Sequence, residues 1–76
     1  MITVRLYGLL RLESGIRELQ VEAETVRDLH ERLQEAGLDK KALKGCCLFC
    51  NGSPVRRSTM FKHGDVVQLL PPVAGG

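Results

Sequence analysis

The residues in this 76-residue chain whose types first suggest a metal, redox or nucleophilic site are three cysteines (Cys46, Cys47, Cys50), two histidines (His30, His63) and scattered serines. Cys47-Leu48-Phe49-Cys50 has the spacing of a metal or redox pair, and His63 could join it as a further ligand. On a strand, however, residues three apart point to opposite faces and lie roughly 10 Å apart, beyond the ~4.4–6.8 Å between Cα atoms that a disulfide needs. Cys46 and Cys50 would share a face but lie farther apart still. The pattern therefore predicts three small, reduced, buried or half-buried thiols rather than a metal or redox site. His30, on a predicted helix, and His63, in a predicted turn, lack a neighbouring nucleophile or second ligand and read as surface histidines. Ser14, Ser53 and Ser58 fall in predicted loops with no nucleophile motif, so an enzyme acting alone is not expected.

The other reactive group is the carboxylate that follows Pro71-Pro72-Val73-Ala74-Gly75-Gly76. Two prolines hold this segment extended, and the two glycines have no side chain with which to anchor in a core. The segment is expected to project as a flexible tail, residues 71–76, from a body formed by residues 1–70. Six extended residues reach roughly 20 Å, enough to carry the Gly76 carboxylate into a partner's buried site while the body stays outside. Diglycine suits a narrow channel, because only backbone must pass through it.

The elements that must carry this tail are short. Ile2 to Tyr7 alternate, with Ile2, Val4 and Leu6 on one face, which is the period of a half-buried strand. A second strand is predicted around Gly15 to Val21, with Leu19 and Val21 inward, and the connection Leu9 to Ser14 has no readable conformation. From Thr25 the period changes: Val26, Leu29, Leu33 and Ala36 recur at helical spacing, Thr25 stands at the N-cap, Asp28 takes the capping-box position and Gly37 supplies the stop. After a loop to Gly45, Cys46 to Cys50 read as a strand, Asn51-Gly52 as a turn and Pro54 to Arg56 as a short edge strand. His63-Gly64-Asp65 marks another turn before a last strand, Val66 to Leu70. This order predicts an α+β domain, a mixed sheet of four to five strands with one helix across one face.

Composition limits the alternatives. Apolar residues at 43% and charged residues at 26% suit one soluble globular domain, with no apolar run long enough for a membrane span. The net charge of +2 is spread along the chain, with dense spots only at Lys40-Lys41-Ala42-Leu43-Lys44 and Arg56-Arg57; nucleic acid is not an expected partner, and neither is a membrane. Lys40 to Lys44 are read as lying just beyond the helix, where positive charge suits its dipole. With no leader-like segment before the first strand, a cytoplasmic location is expected.

Taken together, Ile2-Thr3-Val4-Arg5-Leu6-Tyr7-Gly8, the helix start Thr25-Val26-Arg27-Asp28-Leu29, Asn51-Gly52, and His63-Gly64-Asp65 leading to Leu70-Pro71-Pro72-Val73-Ala74-Gly75-Gly76 resemble the molybdopterin-synthase small-subunit and thiamine sulfur-carrier (MoaD/ThiS) family. That family is a branch of the ubiquitin-like β-grasp proteins, and the resemblance covers the whole chain. It implies a carrier with no bound cofactor. An adenylating enzyme that uses ATP would activate the Gly76 carboxylate, a sulfur donor would convert it to a thiocarboxylate, and a synthase large subunit would use the sulfur to build the dithiolene of the pterin cofactor. Pro71-Pro72-Val73 looks more like the molybdopterin branch, whereas Cys46, Cys47 and Cys50 stand where the family commonly has apolar residues. His63 stands where it often has an acidic one. A thiamine, tungsten-cofactor or other sulfur pathway stays open, as does a ubiquitin-like modifier joined to lysines through Gly76.

A docking surface is also expected. If Cys46, Leu48 and Cys50 face the helix, Phe49 faces the open side of the sheet, where Val66 and Leu70 also fall, beside the root of the tail. Pro71, Pro72, Val73, Ala74 and Gly75 would thread into the partner and Gly76 would carry the reacting atom.

Overall fold

Strand β1 (Ile2–Leu6) and strand β5 (Val66–Leu70) run parallel at the centre of a five-stranded sheet of order β2-β1-β5-β3-β4. The structure, a computed structural model, describes residues 1–71. Strands β2 (Glu18–Val21), β3 (Cys47–Cys50) and β4 (Ser53–Pro54) complete the sheet through antiparallel pairs. Three helices accompany it: α1 (Gly8–Ser14), α2 (Val26–Glu35) and α3 (Lys40–Gly45).

Alternation sets the two faces. Ile2, Val4 and Leu6 of β1 and Val67 and Leu69 of β5 are all buried, and the register pairs Val4 with Val67 and Leu6 with Leu69. Leu29 and Leu33 of α2 close over this face, joined by Leu10, Leu38, Leu43 and Phe61. Each such side chain gains about 1.5–3 kcal/mol from burial. That exceeds the ~1 kcal/mol typical of a helix cap, so packing rather than capping supplies most of the helix's stability. The cap still fixes where α2 begins: Thr25 Oγ1 accepts from the Asp28 N–H at 3.1 Å, and Asp28 Oδ2 accepts from the Thr25 N–H at 3.2 Å. Gly37, at φ 103°, ends it. Ala36, expected on the buried face, is exposed because α2 stops one residue before it.

Several local expectations change. Leu9 to Ser14, unreadable in the sequence, belong to α1, whose N-cap Tyr7 makes no side-chain cap bond and which buries only Leu10. The second strand therefore starts at Glu18 rather than Gly15, since Gly15 closes α1 at φ 72° and donates its N–H to the Arg11 carbonyl. The expected loop before Gly45 contains α3, capped by Asp39, whose carboxylate accepts from the Lys41 N–H. Lys40 to Lys44 thus belong to a helix of their own, held by buried Leu43, instead of trailing α2. So the single predicted helix is joined by two short ones.

Candidate functional site

The candidate site is the point where the chain leaves the sheet. Strand β5 lies between β1 and β3 and is tied at its start by side chains. Asn51 Nδ2 donates to Asp65 Oδ1 at 3.0 Å, the Val66 N–H donates to Asn51 Oδ1 at 3.1 Å, and the Lys62 N–H donates to Asp65 Oδ2 at 2.8 Å. These bonds, the Lys62 N–H first and the Asn51 amide next, hold the Asp65 carboxyl below its ordinary pKa, because each favours the charged form. Asn51 and Gly52 form the turn between β3 and β4, both with positive φ.

At its other end Leu69 and Leu70 are tied through the backbone. The Tyr7 N–H donates to the Leu69 carbonyl at 3.2 Å, and Leu70 pairs with Cys47. Pro71 follows, and with no N–H it cannot donate to the ladder. It is nevertheless half-buried, although the sequence assigns it to the projecting tail. Its ring lies against Gly8 and lines a groove with Leu9, Leu10, Ala42 and Cys46. Pro72, Val73, Ala74, Gly75 and Gly76, the remaining tail residues singled out above, lie outside the described residues.

The open face of the sheet passes beside this root. Register places Gln68 directly opposite Phe49, with Val66 and Leu70 as diagonal neighbours on the same face. All four are half-buried. Pro54 stands across from Phe49 on the other side, and Arg5 lies beyond Gln68 on β1. Tyr7 joins them through its hydroxyl, 3.5 Å from Gln68 Nε2. The structure therefore brings Phe49, Val66 and Leu70 onto one surface, as alternation predicts, but with Gln68 among them and Tyr7 at the tail end. Sequence reading missed both, though β1 and β5 alternation would have placed them had the β1–β5 pairing been known.

The thiols are arranged differently from expectation. Strand β3 starts at Cys47, and Cys46 caps α3 instead, its Sγ donating to the Ala42 carbonyl at 3.1 Å while it packs on the core. Cys47 is exposed on the open face rather than buried or half-buried, since its register partner Leu70 points there too. Cys50 is half-buried on the core side, opposite Val67. Burial pushes the Cys46 and Cys50 thiols above their ordinary pKa, assisted by neighbouring Cys47 in the first case and by Asp65 in the second. Both therefore stay protonated and weakly nucleophilic at neutral pH. All three are free thiols, and no trio of His, Cys, Asp or Glu is grouped for a metal ion among the described residues. His30 is half-buried on α2 and His63 is exposed. Among the described residues no helix is long and apolar enough to cross a membrane.

A mixed five-stranded sheet gripping one main helix, with the chain leaving from the end of its central strand, defines a ubiquitin-like β-grasp protein. The ThiS family matches residues 4–76, and the chain belongs to it. The chain is 32% identical to a chain of the complex of subunits 1 and 2 of the molybdopterin-converting factor from Helicobacter pylori, with TM-score 0.77, covering 99% of this chain and 97% of that one. It is 26% identical to the small archaeal modifier protein 1 from Methanosarcina acetivorans, with TM-score 0.78 and coverage of 99% and 95%. Against a chain of the Amycolatopsis orientalis BexX/CysO complex it is 25% identical, with TM-score 0.67 and full coverage of both chains. A search of curated protein sequences gives no match.

Proposed function

We propose that this protein is a sulfur carrier that works through the carboxylate of Gly76. A free carboxylate is a poor electrophile. An ATP-dependent activating enzyme would transfer AMP to a Gly76 oxygen, releasing pyrophosphate, and a donor's sulfur would then displace AMP to leave a thiocarboxylate. The carrier contributes no acid, base or metal to these steps, only an accessible end and a body to be recognised. The observation that carries the reading is the family match through residue 76, including the Pro-Pro-Val-Ala-Gly-Gly end, on a fold whose central strand leads straight into that segment. Similarity to the H. pylori molybdopterin-converting factor chain supports delivery of the sulfur to a synthase large subunit for the molybdenum or tungsten pterin cofactor.

The similarity to a small archaeal modifier protein supports a second reading, in which the same activated Gly76 forms an amide with lysines of target proteins. Intact mass after co-expression with the activating enzyme separates the two: replacement of one oxygen by sulfur marks the carrier, and covalent ladders on other proteins mark the modifier. Deleting Gly76, or adding one residue after it, should leave the melting temperature unchanged and abolish activation. Sulfur gain on an extended variant whose added residue is still present would reject the reading.

A further inference from the structure

Pro71 is the last described residue of the chain; it follows Leu70, the last residue of β5, and has no N–H to donate, so packing is what positions it. That packing falls on Gly8. A Cβ placed on Gly8 would lie 2.7 Å from Pro71 Cγ, 3.3 Å from Cδ and 3.5 Å from Cβ. Ordinary contact begins near 3.4 Å, so the ring would have to move by about 0.7 Å. A proline ring cannot swing aside as a long side chain does, because its atoms are tied to its own backbone. Nor can Leu69 and Leu70 share the movement, since Tyr7 and Cys47 hold them in the ladder. The displacement would pass outward along the chain.

We propose that Gly8 is a positioning residue: the absence of a side chain there makes a seat for Pro71, and that seat sets the direction in which the chain leaves the sheet. The proposal rests on the sulfur-carrier reading for its consequence, because a terminus that must enter a partner's site is sensitive to where its root is aimed. Gly8 also has φ 63°, a conformation in which any Cβ is strained, so loss of function on substitution could reflect strain alone. The molecule contains its own control. Gly15 has φ 72°, yet a Cβ there would meet nothing within 4 Å. Gly15→Ala thus reports the cost of conformation, and Gly8→Ala reports that cost plus the lost seat.

The test measures melting temperature and the rate of thiocarboxylate formation by the activating enzyme for the full chain, Gly8→Ala, Gly15→Ala, and Gly8→Ala in a Pro71→Ala background. Gly15→Ala should keep the wild-type rate. Gly8→Ala should melt close to Gly15→Ala but be activated about tenfold to a hundredfold more slowly, the scale of an ångström-sized misplacement. In the Pro71→Ala background the Gly8→Ala step should cost no more than Gly15→Ala does. A Gly8→Ala rate equal to that of Gly15→Ala, or the same penalty with and without the Pro71 ring, overturns the proposal. Nuclear Overhauser cross-peaks between Gly8 Hα and the Pro71 ring in the unsubstituted protein test the seat without reference to activity or to variant folding; their absence also overturns it. Should the wild-type chain accept no sulfur at all, the carrier reading fails while those cross-peaks still judge the seat.

Discussion

The two faces of the sheet are made from the same strands, one residue out of step. On the covered face Val4, Leu6, Val67 and Leu69 are at most 1% exposed. On the open face their immediate neighbours Thr3, Val66, Gln68 and Leu70 are only half-buried and Arg5 is exposed. Arg5 there meets its cross-strand partner Glu18 at 3.0 Å, an exposed pair of the kind that adds little to stability. In a domain this small, stability is about 4–11 kcal/mol in total, and the fully buried apolar side chains of β1 and β5 lie on the face under the helices. The other face carries less of that stability, so the two faces should answer differently to substitution.

The largest effect is expected at Leu69, buried on the central strand. Leu69→Ala should cost about 2–5 kcal/mol and melt far below the parent or unfold it. Leu48, its register partner on β3, is half-buried, so Leu48→Ala should cost less, about 1–2 kcal/mol. Equal penalties in denaturant titrations would mean that β3 is buried as deeply as β5. One residue on, Phe49→Asp should leave most of the stability in place and weaken association with the activating enzyme or the synthase partner by about tenfold or more. Calorimetric titration measures this. If Phe49→Asp unfolds the chain while Leu48→Ala is silent, the assignment of faces is reversed.

Much of this contrast was legible in the sequence because it depends on short-range periodicity. Alternation in β1 identified Ile2, Val4 and Leu6, and the spacing of Leu29 and Leu33 with Thr25 and Asp28 at the cap identified α2 to within a residue. Helices α1 and α3 were not legible. Segments of seven and six residues cannot offset the cost of nucleation by themselves, so they form only where Leu10 and Leu43 dock on the core. The shift of Cys46 from strand to helix cap follows from α3 and was hidden with it. The Gly8–Pro71 contact joins opposite ends of the chain through the parallel pairing of β1 with β5, which no local pattern announces.

What keeps the two faces from exchanging is register, and the smallest predicted effect concerns the bonds that set it. A slip of one residue between β3 and β5 would turn Phe49 inward and Leu48 outward. Asn51 and Asp65 resist such a slip by bonding to each other, to the Val66 N–H at the start of β5 and to the Lys62 N–H in the turn before it. Because the folded Asp65 pKa lies below its ordinary value of 3.8, its contribution is fully present above that value and is lost as pH falls through the folded pKa. Asp28 at the α2 cap is lowered likewise, by the Glu24 and Thr25 N–H groups, and must be separated from it. Asp65→Asn should lower the melting temperature modestly at pH 7 and reduce the further loss on acidification below 3.8, leaving the part due to Asp28. Melts of the parent, Asp65→Asn and Asp28→Asn across acidic pH measure this. An Asp65→Asn variant as acid-sensitive as the parent would show that the turn does not hold the register, and that the packing of Leu48 and Leu69 alone keeps the faces apart.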